Sequence, residues 1–143
     1  MPTPGLKTVG IFADIGSLYY YTVKKFPGRK LDYGVLYAKA AGDDALFKAI
    51  AYGSHVNDEA AKFITCLRKI GFETKYKRLE TRRIEGTNET RAIRSTWNVQ
   101  MTIDILSMLD KLNVVVICSS DLELLSLVEY IKSRGVTCQI ISA

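Results

Sequence analysis

The sequence predicts an α/β fold: a doubly wound, mostly parallel five-stranded sheet with helices on both faces. Three observations support this class. Runs of β-type residues alternate with helical patterns, and this alternation requires crossover connections within a parallel sheet. The run Val-Val-Val-Ile-Cys within 113–119 is continuously apolar, as is typical of a buried parallel strand. The length of 143 residues fits one domain, which we expect to cover residues 1–143.

The five strands are predicted from short apolar or alternating runs. They cover Lys7–Ala13, Ala45–Tyr52, Phe72–Leu79, Asn113–Ser119 and Val136–Ile141. We expect the strand order 3-2-1-4-5, in which the first and fourth strands are neighbours where the strand order reverses. In sheets of this kind, ligands bind beyond the carboxyl ends of the strands at that point.

The helices are predicted from the helical spacing of apolar residues and from residues that begin or end helices. They cover Ser17–Lys25, Asp32–Ala40, Asp58–Ile70, Trp97–Leu109 and Asp121–Ser133. Asp32 can cap the second helix, and Gly71 and Gly135 close the third and the last. At least two of three consecutive tyrosines, Tyr19, Tyr20 and Tyr21, are expected to pack in the core. The alternative is that Tyr19, Tyr20 or Trp97 stacks on a nucleic-acid base.

Composition excludes several classes of protein. The longest charge-free runs have nine residues, against about 20 needed to cross a bilayer, so a membrane-spanning role is excluded. The N-terminus lacks the pattern of a secretory signal, so we expect a cytoplasmic protein. The single histidine, His55, excludes sites that need several imidazoles and is given a structural or surface role. Cys66, Cys118 and Cys138 lack metal-site spacing and are interpreted as buried thiols.

The net charge of +5 is concentrated in one segment. Residues 74–94 contain seven basic and three acidic side chains, together with Gly86 and Asn88. This pattern predicts a basic, flexible loop. Such clusters neutralise phosphates, so the loop is a candidate nucleic-acid contact, with a solvated surface loop as the alternative. The residues expected to bind the nucleic-acid backbone are Lys75, Arg78, Arg82, Arg83, Arg91 and Arg94.

Two aspartates follow the strands that are expected to be neighbours. Asp14 follows the first strand and Asp121 the fourth, so both carboxylates should face one crevice. Asp104, in the polar stripe of an otherwise apolar predicted helix, is the natural third carboxylate of this site. Three carboxylates form an oxygen-rich site suited to Mg²⁺ or Mn²⁺.

Each of these residues also has a structural interpretation. Asp14 could cap the helix after the first strand. The spacing from Ser120 to Glu123 is that of a capping box. Asp104 could be a surface residue, or a partly buried one that needs a counter-charge.

Three segments carry a resemblance to a known family. They are Val-Gly-Ile-Phe-Ala-Asp14-Ile-Gly-Ser17-Leu-Tyr-Tyr, Asn98-Val-Gln-Met-Thr-Ile-Asp104 and Val-Val-Val-Ile-Cys-Ser119-Ser120-Asp121-Leu-Glu123. In this order the segments resemble NYN domains, the PIN-like ribonuclease group that includes the LabA-like proteins. The resemblance implies a divalent metal ion held by Asp14, Asp104 and Asp121, and endonucleolytic cleavage of RNA by the same three catalytic residues.

The resemblance also implies supporting roles around these aspartates. Glu123 would be a further or water-mediated metal ligand. The supporting residues would be Ser17, Asn98, Ser119 and Ser120. Ser17 stands where Asn is usual in the family and Asn98 where Asp is frequent, which motivates an alternative function. In that alternative, the chain is a catalytically weak RNA-binding or protein-interaction module. The sequence leaves a homodimer open.

Overall fold

The computed structural model describes residues 6–55, 61–78, 81–92 and 96–142. The strands are β1 (Thr8–Asp14), β2 (Ala45–His55), β3 (Glu73–Arg78), β4 (Thr81–Arg83), β5 (Thr90–Ala92), β6 (Val114–Cys118) and β7 (Thr137–Ile141). The α-helices are α1 (Ile15–Lys25), α2 (Tyr33–Ala41), α3 (Ala61–Ile70), α4 (Asn98–Met108) and α5 (Leu125–Ser133). Two short 3-10 helices, Leu109–Lys111 and Leu122–Leu124, follow α4 and precede α5.

The main sheet has five parallel strands in the order β3-β2-β1-β6-β7. These are the five strands expected from the sequence, and the expected order 3-2-1-4-5 is confirmed. The strand order reverses between β1 and β6, which are direct neighbours from Val9 opposite Val114 to Ala13 opposite Cys118. The carboxyl ends of β1 and β6 therefore meet at one edge of the sheet.

Two hydrophobic clusters cover the two faces of the sheet. The first packs α1, α2 and α3 on one face, and the second packs α4 and α5 on the other. Side chains alternate between them: Ile11 and Ala13 belong to the first cluster and Phe12 to the second. All five residues of β6 are buried, as expected for a central parallel strand.

The predicted helix caps are present. Asp14 and Asp32 both accept backbone N–H groups in the first turns of α1 and α2. Gly71 and Gly135 follow α3 and α5 with positive φ angles of 132° and 79°. The predicted start of the third helix at Asp58 lies outside the described residues. The last helix differs from the prediction, because a 3-10 turn occupies Leu122–Leu124 before α5 begins.

The segment predicted as a flexible loop contains regular structure, so that prediction is wrong. Residues 74–78 belong to β3, and β4 and β5 pair as an antiparallel hairpin in which Arg82 lies opposite Arg91. Gly86, with a φ of 81°, lies in the turn of this hairpin. The Arg83 side chain donates to Thr87 O at 3.1 Å and to Asn88 Oδ1 at 2.6 Å. These polar contacts stabilise the hairpin. Because it does not depend on an alternation of apolar side chains, the sequence shows no apolar periodicity there.

One burial prediction, for the tyrosines, is wrong, and another, for the cysteines, is confirmed only for Cys118. Tyr19 and Tyr20 are 65% and 58% exposed, because α1 buries the stripe formed by Ile15, Leu18 and Thr22 instead. Among the three cysteines Cys66 is exposed, Cys138 is intermediate and Cys118 is buried. Burial raises the pKa of the Cys118 thiol to about 12, so this thiol stays protonated within the core.

No helix in the described ranges combines the length and the apolar character that crossing a bilayer requires.

Candidate active site

The reversal of strand order brings two of the predicted aspartates to one edge of the sheet. Asp14 is the last residue of β1, and Asp121 lies three residues after the end of β6. Asp14 Oδ1 accepts the backbone N–H of Ser17 at 3.1 Å, so its carboxylate caps α1. Asp14 is 9% exposed, which places a carboxylate in a largely dry position.

The electrostatic state of Asp14 reflects this position. Burial raises the pKa of the Asp14 carboxyl above its ordinary value, and the negative charge of Asp121 raises it further. The hydrogen bonds from the backbone of Ser17 and Gly16 act in the opposite direction, as does the more weakly acting charge of Lys77. The two aspartates are therefore close enough to repel each other, and a cation between them would relieve this repulsion.

Three serines connect the two aspartates. The Ser17 hydroxyl accepts the backbone N–H of Ser120 at 3.1 Å and lies 3.4 Å from the Ser119 hydroxyl. The Ser119 hydroxyl in turn accepts the backbone N–H of Asp121 at 3.2 Å. These bonds join the first turn of α1 to the loop after β6. They hold Asp14 and Asp121 in fixed relative positions.

Asn98, the first residue of α4, bridges two acidic side chains. Its Nδ2 donates to Asp121 Oδ2 at 2.9 Å and to Glu123 Oε2 at 3.4 Å. Asp121 Oδ1 also accepts the backbone N–H of Glu123 at 2.9 Å. Asp121, not Ser120, is therefore the cap of the 3-10 turn, so the capping-box interpretation of Ser120 is wrong.

The orientation of the Asn98 amide follows from these partners. Ionised carboxylates can only accept hydrogen bonds, so the amide nitrogen faces Asp121 and Glu123. The Asn98 Oδ1 atom is then buried, and no group in the described ranges donates a hydrogen bond to it. A buried oxygen in this state costs free energy, unless a donor or a cation satisfies it.

Asp104 has a different environment from the other two aspartates. Its Oδ2 accepts from Tyr52 Oη at 2.7 Å and from Lys75 Nζ at 2.9 Å, and its Oδ1 accepts from Gln100 Nε2 at 2.9 Å. Burial alone would raise the pKa of the Asp104 carboxyl, but these three hydrogen bonds and the Lys75 charge outweigh burial and lower it. Asp104 is thus a buried, ionised group with a counter-charge, one of the alternatives expected from the sequence.

Comparison with known proteins shows the family of the chain. The sequence profile of the NYN domain matches residues 8–143. The chain belongs to the NYN domain family. NYN domains are part of the PIN-like nuclease superfamily, so the resemblance noted in the sequence is confirmed.

A solved structure shows the same fold. The crystal structure of VPA0982, a protein of unknown function from Vibrio parahaemolyticus, superposes with a TM-score of 0.81 and 24% sequence identity. The match covers 98% of this chain and 83% of that one. The search of curated proteins gives no significant match.

NYN nucleases typically use divalent metal ions, which need several oxygen, nitrogen or sulfur ligands close together. Within the described part of the chain, no three His, Cys, Asp or Glu side chains form a ready-made metal cluster. The oxygens around Asp14 and Asp121 are nevertheless of the kind that Mg²⁺ and Mn²⁺ prefer, and the buried Asn98 Oδ1 adds an unsatisfied one. The oxygens of Asp104 already accept hydrogen bonds from Lys75, Tyr52 and Gln100. The residues that fit a divalent ion are those around Asp14 and Asp121.

The basic residues expected to bind nucleic acid are distributed over β3 and the hairpin of the NYN domain. Lys75 contacts Asp104, and Arg83 binds the hairpin turn. Arg78, Arg82 and Arg91 lie on β3, β4 and β5, with side chains outside the described residues. Arg94 lies outside the described residues altogether.

Sequence reasoning missed two groups beside this site. Tyr52 donates to Asp104, and its place at the carboxyl end of a strand is a signal for this role. Lys77 belongs to the basic segment, but no pattern in the sequence assigns it to the site. Its ammonium lies 4.4 Å from the centre of the Trp97 ring and donates to Thr96 O at 3.0 Å. Together Lys77 and Trp97 present a cationic and aromatic surface beside the acidic edge.

Proposed function

We propose that this NYN domain is a metal-dependent endoribonuclease that cleaves RNA phosphodiester bonds at the edge formed by Asp14 and Asp121. The observation that carries the proposal is the pair of neighbouring carboxylates, one of them buried, beside the unsatisfied Asn98 oxygen. Mg²⁺ or Mn²⁺ would be held by Asp14 and Asp121, with Glu123 as a further or water-mediated ligand. When bound, such an ion lowers the pKa of a water molecule and neutralises charge on the scissile phosphate.

The other residues of the site position these ligands. Ser17, Ser119 and Ser120 fix the distance between Asp14 and Asp121 through their hydrogen bonds. Asn98 keeps Asp121 and Glu123 together. These contacts hold the carboxylates in place before an ion arrives, which reduces the reorganisation that binding requires.

Asp104 belongs to the same site in this proposal but has a different task. Its carboxylate holds the Lys75 ammonium at 2.9 Å, on the side of the sheet that α4 covers. Lys75, Lys77 and the arginines of β3 and the hairpin then provide the positive charge that binds the RNA backbone. A base of single-stranded RNA would stack on Trp97, beside Lys77, or on the exposed Tyr19 or Tyr20 of α1.

One observation favours the alternative function. Since Lys75 neutralises Asp104, the one acidic residue of α4, this helix offers no unpaired carboxylate, as would suit a catalytically weak RNA-binding module. Such a module would bind RNA without cutting it. A cytoplasmic location, which the sequence predicts, and a homodimer, which it leaves open, are tested by nothing in the structure and stay as they were.

Cleavage of labelled RNA distinguishes the two functions. We expect the wild-type chain to cut a single-stranded RNA, tested beside a structured one, in Mn²⁺ or Mg²⁺ and to be inactive in EDTA, because the carboxylates need the ion to act on the phosphate. Gel analysis of the products checks this. Inertness in all three conditions, with RNA still bound, would establish the binding module instead.

RNA affinity should depend on salt in either case. If the basic residues of β3 and the hairpin contact about three phosphates, raising KCl from about 50 to 200 mM should weaken RNA binding roughly tenfold or more. Fluorescence anisotropy of a labelled single strand in EDTA measures this slope without cleavage. An affinity independent of salt would contradict the assignment of these residues to the RNA backbone.

A further inference from the structure

The environment of Lys75 sets it apart from a surface lysine. Its ammonium lies 2.9 Å from Asp104 Oδ2, an oxygen that also accepts the Tyr52 hydroxyl at 2.7 Å. The Lys75 side chain is 35% exposed and that of Asp104 12%. Since Gln100 donates to the other oxygen, both oxygens of Asp104 have donors.

The strand register explains how these donors reach one carboxylate. Tyr52 lies opposite Asp14 in the pairing of β1 with β2, and opposite Lys75 in the pairing of β2 with β3. Asp14, Tyr52 and Lys75 therefore form one row across three neighbouring strands. Residues opposite each other in a parallel pair face the same side, here the side covered by α4, which carries Asp104.

The carboxylates beside the two ends of this row, Asp14 and Asp104, differ in the groups that contact them. At Asp14, which is 9% exposed, the carboxylate accepts the uncharged backbone N–H of Ser17 at 3.1 Å. At Asp104, the carboxylate accepts the charged ammonium of Lys75 at 2.9 Å, beside the donors of Tyr52 and Gln100. The Asp104 end of the row thus already has its cation, at 2.9 Å.

We propose that the Lys75 ammonium takes the place of a metal ion at Asp104, so that this edge of the sheet holds a single divalent ion, on the side of Asp14 and Asp121. A second ion at Asp104 would have to displace an ammonium in direct contact with the carboxylate, or bind against its positive charge. Lys75 is thus a positioning residue that decides how many ions the site takes. The inference rests on the metal-dependent function proposed above.

Mn²⁺ binding to the full chain, measured by calorimetry and by electron paramagnetic resonance of free Mn²⁺, tests this without using activity. We expect about one ion per chain for the wild type and about two for Lys75→Met, in which Asp104 loses its cation. Lys75→Arg keeps the positive charge and should bind about one ion, as the wild type does. Lys48→Met is the matched control, because Lys48 forms an exposed ion pair with Glu73, at 3.5 Å, in the same sheet.

Asp104→Asn tests the inference by a second route, in case Lys75→Met does not fold. Since Asp104 holds no ion in this proposal, the variant should bind Mn²⁺ with an affinity within about threefold of the wild type. A loss of the ion in Asp104→Asn overturns the inference, as does a folded Lys75→Met that still binds one ion or a wild type that binds two. A wild type that binds no Mn²⁺ overturns the proposed metal dependence itself, and this inference with it.

Discussion

Asp14→Asn should abolish metal-dependent RNA cleavage while leaving the fold intact. The substitution is isosteric, and asparagine caps helices as well as aspartate does, so the hydrogen bond from the Ser17 N–H to the side chain can be kept. What is lost is the negative charge that would hold the ion beside Asp121. We expect the cleavage rate in Mn²⁺ to fall by about 10²- to 10³-fold, which corresponds to several kcal/mol of lost stabilisation of the transition state.

Asp32→Asn is the matched control for this variant. Asp32 caps α2 through the same type of bond, accepting the N–H groups of Gly34 and Val35 at 3.0 and 3.1 Å. The Asp32→Asn variant makes the same chemical change at the cap of another helix, away from the carboxyl ends of β1 and β6. Asp32→Asn should cleave RNA at the wild-type rate. Equal loss of cleavage in both variants would show that helix capping, and not the charge at the site, is responsible.

The stability of Asp14→Asn provides an independent readout. Since the pKa of Asp14 is raised in the folded protein, the stability that this group contributes is complete below its ordinary value of 3.8. That contribution is lost as the pH rises through the raised value. Asparagine cannot ionise, so the variant should be at least as stable as the wild type at pH 7, and the difference should shrink on acidification. Urea unfolding at several pH values measures this difference.

The positions of Asp14 and Asp121 could be predicted from the sequence because they depend on topology alone. Once β1 and β6 are neighbouring parallel strands, the residues that follow them must meet at one edge of the sheet. The capping role of Asp14 was also predictable, since it depends on residues three positions apart.

The partners of Asp104 could not be predicted in the same way. The contacts with Tyr52 and Lys75 depend on the register of three parallel strands that are joined through helices, and no short-range pattern encodes that register. The sequence could state that a buried Asp104 needs a counter-charge, but not which residue supplies it. A similar reason explains the exposed Tyr19 and Tyr20, because the rotation of α1 on the sheet is fixed by Ile15, Leu18 and Thr22.

Truncation of a side chain in the core beneath the site should destabilise the protein far more than truncation of an exposed side chain. Phe12, two residues before Asp14 on β1, is fully buried in the cluster formed with Tyr52, Met101, Ile105 and others. Phe12→Ala removes the ring and leaves a cavity between the sheet and α4, so we expect it to lower the free energy of unfolding by about 3–5 kcal/mol. Urea unfolding followed by circular dichroism measures the change.

Phe26→Ala is the matched control for the core variant. Phe26 is 51% exposed at the end of α1, and its backbone N–H, which donates to Thr22 O at 2.8 Å, is kept in alanine. The same truncation there should change the free energy of unfolding by about 0.5 kcal/mol or less. If Phe12→Ala lowered the free energy of unfolding no more than Phe26→Ala does, the description of α4 packed against β1 would be wrong. At temperatures where Phe12→Ala stays folded it should still cleave RNA, because it keeps Asp14 and Asp121, whereas Asp14→Asn should fold and not cleave. Opposite outcomes for two residues this close in β1 would separate the chemistry of the site from the packing that supports it.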